Sequence, residues 1–153
     1  MSRDSSLFVT CGSKTIDNMV IQRVLESFIK YGWSISQNEL LCILPVGDAG
    51  RYEWTDIPAK GFDLEKYLAE KYRLKEPVGF QLINNDTSFG CVILFFFNHD
   101  DKWNTFTITF DLGFERKDTD NGNTDVSWYL DRISQVLEEV ELPIFSFEFK
   151  EFL

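Results

Sequence analysis

Cys91-Val92-Ile93-Leu94-Phe95-Phe96-Phe97 constrains this chain more than any other stretch. It is too short to cross a bilayer, which takes about 20 apolar residues. Bounded by Gly90 and by Asn98-His99-Asp100-Asp101, and rich in Phe and β-branched side chains, it predicts a strand buried on both faces. Side chains alternate along a strand, so Val92, Leu94 and Phe96 point one way and Ile93, Phe95 and Phe97 the other. Both rows demand cover. The run therefore belongs in the middle of a sheet.

The rest of the chain supplies neighbours for it. Leu7 to Cys11 reads as a short strand ended by Gly12-Ser13. A first helix follows, with Thr15 as its expected cap and Asp17 near its positive end. Ile16, Val20, Val24 and Phe28, with Ile21, Leu25 and Ile29 alongside, form its apolar stripe, and Gly32 is its stop. Glu39 to Val46 predicts a second strand closed by Pro45 and Gly47. Between Asp48 and Gly61 the alternation of Tyr52, Trp54 and Ile57 is uneven and suggests an edge strand followed by a loop. Asp63 caps a second helix, Phe62 staples onto Tyr67, and Leu64, Tyr67, Leu68 and Tyr72 form the inner face up to Pro77.

Strands over 79–84, 91–97 and 105–112 are joined by turn-like segments, which favours an antiparallel meander. The last of them alternates cleanly, Phe106, Ile108, Phe110 and Leu112 against Thr105, Thr107, Thr109 and Asp111. A polar loop over 118–125 leads to a third helix over about 125–140, and Phe145, Phe147 and Phe149 alternate with Ser146, Glu148 and Lys150 in a final strand. The 153 residues fit one domain. The expected fold is α+β: a single domain over 1–153, with a largely antiparallel sheet (a meander over 79–112 plus N- and C-terminal strands) and about three helices packed mainly on one face. One apolar row of the central strand then lies beside threonines on the other face. Either the segment from Arg51 to Pro58 or a curled sheet edge covers it, or it is a patch for a partner.

Few residues carry a chemical signature. His99 is the single histidine, set in a turn beside Asp100 and Asp101, where neighbouring side chains diverge more than they converge. The segment Asp118-Thr119-Asp120-Asn121-Gly122-Asn123-Thr124-Asp125 resembles a calcium loop, but neither register places both the glycine and the closing glutamate. A turn on Asn121-Gly122 leading into a capped helix explains it. No phosphate-cradling glycine motif and no G-x-S-x-G elbow occurs. Cys11, Cys42 and Cys91 are widely spaced and read as buried free thiols in a reducing compartment. The polar start, Met1 to Ser6, makes the cytoplasm the expected location. No catalytic, cofactor-binding or metal-binding residue is expected, and the chain is read as a non-enzyme.

Charge points to a partner instead. Twenty-five acidic residues against 15 Lys and Arg leave a net charge of −10. That field repels phosphate backbones and anionic lipid and attracts basic proteins, so neither nucleic acid nor membrane is an expected partner. Tryptophans lie among the acids: Trp54 with Glu53 and Asp56, Trp103 after Asp100-Asp101, and Trp128, which falls off the third helix's stripe and is expected at least half exposed, with Arg132 stacked on it. The expected partner contacts are Glu53, Trp54, Asp56, Asp100, Asp101, Trp103, Asp118, Asp120 and Trp128, with rings as anchors and acids for steering. In size, acidity and α+β pattern the chain resembles the bacterial immunity proteins that neutralise toxins, nucleases especially. The resemblance implies a basic toxin as partner and assigns no residues. The alternative is a small-ligand module or enzyme with an aromatic pocket between sheet and helices. A third reading has the final strand docking by edge pairing, which requires that strand to be unpaired on one side.

Overall fold

The computed structural model describes residues 4–12, 16–97 and 105–152. Thr15, His99, Asp100, Asp101 and Trp103 lie outside them. The strands are β1 (Asp4–Gly12), β2 (Trp33–Ser34), β3 (Ser36–Gln37), β4 (Leu40–Ile43), β5 (Thr55–Pro58), β6 (Val78–Asn84), β7 (Gly90–Phe95), β8 (Thr105–Asp111) and β9 (Ile144–Phe152). The helices are α1 (Asn18–Lys30), α2 (Leu64–Leu74) and α3 (Val126–Glu139). The strands form one antiparallel sheet in the order β3-β4-β6-β7-β8-β1-β9, with β5 paired to β4 and β2 to β6. The chain is a single α+β domain with an open sheet, and β6-β7-β8 is the expected meander.

Register explains why β7 sits centrally. Ile93 lies opposite Phe80 on β6 and Phe110 on β8, and Phe110 in turn opposite Leu7 on β1. Phe95 lies between Val78 and Ile108, and Ile108 opposite Val9. One face of four adjacent strands is thus a continuous apolar surface, and the three helices cover it. Phe28 of α1 meets Phe110 at 6.1 Å, Tyr67 of α2 meets Phe80 at 5.6 Å, and the Tyr129 hydroxyl of α3 donates to the Gly90 carbonyl. Each fully buried Leu, Ile or Phe contributes roughly 1.5–3 kcal/mol.

Several details depart from expectation. Asp17, not Thr15, caps α1, its carboxylate accepting from the Val20 N–H at 2.9 Å. A cap accepts from the amide two or three residues after it, and the helix begins at Asn18, directly after Asp17. Ile29 is exposed, at the far margin of the stripe. The short edge strand β5 is followed by a turn over 59–63, as expected, and is also preceded by a longer loop over 44–54. Along α2, Tyr72 is 38% exposed against Phe97, whereas Lys71, absent from the expected inner face, is fully buried. Asp63 does cap α2, and the Phe62 ring lies 5.5 Å from that of Tyr67.

The opposite face carries Phe8 and Thr10 on β1, Thr107 and Thr109 on β8, Val92 and Leu94 on β7, and Gln81 and Ile83 on β6. Its apolar row is covered in part by the segment expected to do so. The Trp54 ring occupies the space above Gly79, where a Cβ would stand 2.6 Å from the ring and 3.0 Å from both Leu44 and Leu94. Glycine at 79 is therefore a packing requirement. Gly79→Val should displace Trp54 and cost about 1–3 kcal/mol in urea denaturation. Trp54→Ala in the same chain should recover part of that loss, because the clash is then gone.

Candidate partner-binding surface

The segment from Pro45 to Trp54 owes its shape to three buried polar side chains. Pro45 stands just past the end of β4, and Gly47 (φ 104°) turns the chain. The Asp48 carboxylate then gathers four backbone N–H groups: Gly50 at 3.1 Å, Arg51 at 2.8 Å and Tyr52 at 3.1 Å on Oδ1, and Glu53 at 2.7 Å on Oδ2. Below it, Lys71 Nζ donates to the Pro45 carbonyl at 2.6 Å and the Asp48 carbonyl at 3.3 Å, and lies 3.3 Å from Glu76 Oε1. That same Glu76 oxygen accepts the Gly47 N–H at 2.8 Å. One turn back, the Tyr67 hydroxyl donates to the Leu44 carbonyl at 2.5 Å. Tyr67 and Lys71 are four apart and share a helix face, so α2 fastens the loop at two points along one line.

The electrostatics follow from this saturation. Burial alone would raise the Asp48 carboxyl, but the N–H groups of Glu53, Gly50, Tyr52 and Arg51 overcome it and bring the pKa down to about 2. Burial lowers the Lys71 ammonium, and Glu76 and Asp48 pull it back up. All three groups are engaged inside the molecule. They serve as framework for what the loop presents.

What it presents is acidic and aromatic. Tyr52, in the left-handed region at φ 56°, is exposed, as are Glu53 and, on β5, Asp56. Trp54 turns inward over Gly79 and is half-buried. Neither Glu53 nor Asp56 pairs with a cation among the described residues. Asp56 accepts from the Cys42 thiol, which burial and that carboxylate push up to about 11.

Asp118, Asp120 and Trp128 lie at the other end of the sheet. Gly79 is opposite Leu94, whereas Gly90, four residues back along β7, accepts Tyr129 and donates to Glu115. At about 3.3 Å per residue the two groups are separated by at least ~13 Å along the strand. The structure does not bring them together. At the second group Asp118 is held by Arg116 Nε at 2.5 Å and Asp125 by Lys117 at 3.3 Å, so these two carboxylates are compensated. Asp120 is exposed on the turn closed by Gly122, and Asp125 caps α3 by accepting from the Trp128 N–H at 3.2 Å.

Trp128 corrects the expectation of an exposed ring. It is less than half exposed, wedged against Trp33 and Phe89 at 5.9 Å and Tyr129 at 4.9 Å. The short strand β2, which helical periodicity along α3 could not reveal, brings Trp33 against it. Arg132 does stack on the ring, 4.1 Å from its centroid.

Asp100, Asp101 and Trp103 fall outside the described residues; β7 ends at Phe95 and β8 begins at Thr105. Between sheet and helices Phe28 packs on Trp33 at 5.7 Å and Phe62 on Phe80 at 6.4 Å, and a pocket of about 630 Å³ beside α2 has Ile57, Phe62 and Tyr67 in its wall. A cavity of about 220 Å³ opens on the other face, with Cys42, Asp56 and Gln81 in its wall.

Comparison with protein-family models, curated proteins and solved structures returns no match. Among the described residues no helix is long and apolar enough to cross a membrane.

Sequence inspection overlooked Asp48, Lys71 and Glu76. The available signal was a lysine on the apolar stripe of α2, four residues after Tyr67. Lys71→Met leaves the Glu76 carboxylate buried without its cation and should cost about 3–5 kcal/mol in chemical denaturation, whereas Lys71→Met with Glu76→Gln should cost markedly less. Because the folded Asp48 carboxyl lies below its ordinary 3.8, the unfolded chain binds the extra proton between that value and about 2. The contribution of Asp48 is thus complete above that window and is lost as pH falls through it. The stability difference between the native chain and Asp48→Asn, followed by urea titration at successive pH values, should shrink across the same interval.

Proposed function

We propose that this chain is a cytoplasmic protein-binding domain, an immunity-type inhibitor that neutralises a basic toxin, a nuclease being the fitting class. One observation carries the reading: the 48–53 loop is fixed from within by Asp48, Lys71 and Glu76, and it turns Tyr52 and Glu53 outward near Asp56 of β5, neither acid paired with a cation among the described residues. A surface already in its bound shape loses little entropy on association. Unpaired carboxylates on a chain of net charge −10 accelerate encounter with a cationic protein, and an exposed tyrosine is a common interface anchor. Such a binder acts by occupying the basic surface on which a nuclease would hold its own anionic substrate. The reading places contact at the Glu53 end and not at the Asp118 end, where Arg116 already pairs with Asp118 and Lys117 with Asp125.

The test pairs capture with kinetics. The tagged chain, expressed in its native host, should retain one basic protein in stoichiometric amount, and co-expression should suppress that protein's toxicity. Glu53→Lys with Asp56→Lys should slow association roughly tenfold at low salt and flatten its ionic-strength dependence. Asp118→Lys with Asp120→Lys should change it little. An association rate indifferent to the first pair of reversals refutes the assignment of the surface; a captured partner that is neither basic nor toxic refutes the function.

A further inference from the structure

The two borders of the sheet are unlike. At one, β3 and β5 are two and four residues long, and β5 ends in Pro58. Such borders resist further pairing. At the other, β9 runs nine residues without proline and pairs only with β1 among the described residues. Its outer edge has no neighbouring strand among the described residues, and it lies beside Phe145 at 65% and Phe147 at 38% exposure. The edge is regular only in part. Pairing with β1 shifts between Thr10 and Cys11, leaving Phe145 as an extra residue that kinks the first end of β9. The regular stretch is 146–152, and its midpoint is Phe149.

We infer that β9 pairs antiparallel with β9 of a second copy of this chain, about a two-fold axis at Phe149, so that two sheets become one. The argument is self-complementarity. With Phe149 opposite its own copy, Glu148 of each chain faces Lys150 of the other, twice, on the sheet face away from the helices. Each Lys150 already lies 3.4 Å from its own Glu148, so the four charges form a ladder of alternating sign. On the helix side, the Phe149 rings meet at the axis and Phe147 gains cover. Neighbouring axes fail: centring on Glu148 or on Lys150 opposes like charges, and centring on Phe147 runs into the bulge. The pairing leaves the Glu53 loop free at the far border, so a dimer would present two such loops facing outward.

The test is the mass of the full chain in solution, by light scattering and sedimentation across a concentration series. The native chain should reach twice its 17.9 kDa. Glu148→Lys or Lys150→Glu should each raise the dimer dissociation constant roughly tenfold, because both cross-strand pairs become repulsive. The double exchange, Glu148→Lys with Lys150→Glu, should restore dimerisation. Both side chains are exposed, and circular dichroism on each variant checks the fold. A native chain that stays at 17.9 kDa throughout, or single variants that dimerise as tightly as the native chain, would overturn the inference.

Discussion

Two-sided burial of β7 is the constraint from which the architecture follows. A strand whose alternate residues are all apolar must have neighbours on both edges and cover on both faces. Its edges are taken by β6 and β8, and the aligned rows Phe80-Ile93-Phe110 and Val78-Phe95-Ile108 then make a surface wide enough for three helices. Helices on one face only leave Val92 and Leu94 on the other. The Trp54 ring resting on Gly79 answers part of that need, which ties a surface segment to the core. A loop residue thereby becomes a structural one.

The buried Lys71–Glu76 pair with Asp48 has a different logic. Ionic groups inside a protein add little net stability over apolar residues of the same size. Their consequence here is geometric. The carbonyls of Pro45 and Asp48 and the N–H groups of Gly47 and of Gly50 to Glu53 would otherwise need water, and the three side chains satisfy them from within. The loop can therefore close tightly over α2 and still turn acids outward. Rigidity of the backbone and availability of Glu53 and Asp56 have the same origin.

The borders of the sheet divide the remaining possibilities. Short strands and a proline protect the β5 side, where the acidic segment lies, while among the described residues the long β9 side has no second strand beside it. A protein that recognises a partner at one border and its own copy at the other would keep the two events apart, because the sheet's full width separates them.

Much of the fold was legible from period and punctuation. Alternation from Phe106 to Leu112, the uninterrupted run at Cys91–Phe97 and the stripes of α1 and α3 each reflect a local rule, and local rules act within a few residues. The Asp63 cap, the Phe62 staple and the Asn121-Gly122 turn were readable for the same reason. What could not be read depends on residues far apart in the chain. Trp128 looked exposed because its own helix leaves it off the stripe, and only the return of Trp33 on β2 buries it. Lys71 gave no reason to be placed inside, because the carbonyls that justify its burial lie more than twenty positions earlier. The amino-acid pattern by itself determined the elements, the central strand and the acidity. Tertiary structure alone decided which acids stand uncompensated and which strand ends the sheet, because pairing order and ion pairing are settled by distances in space that sequence spacing does not encode.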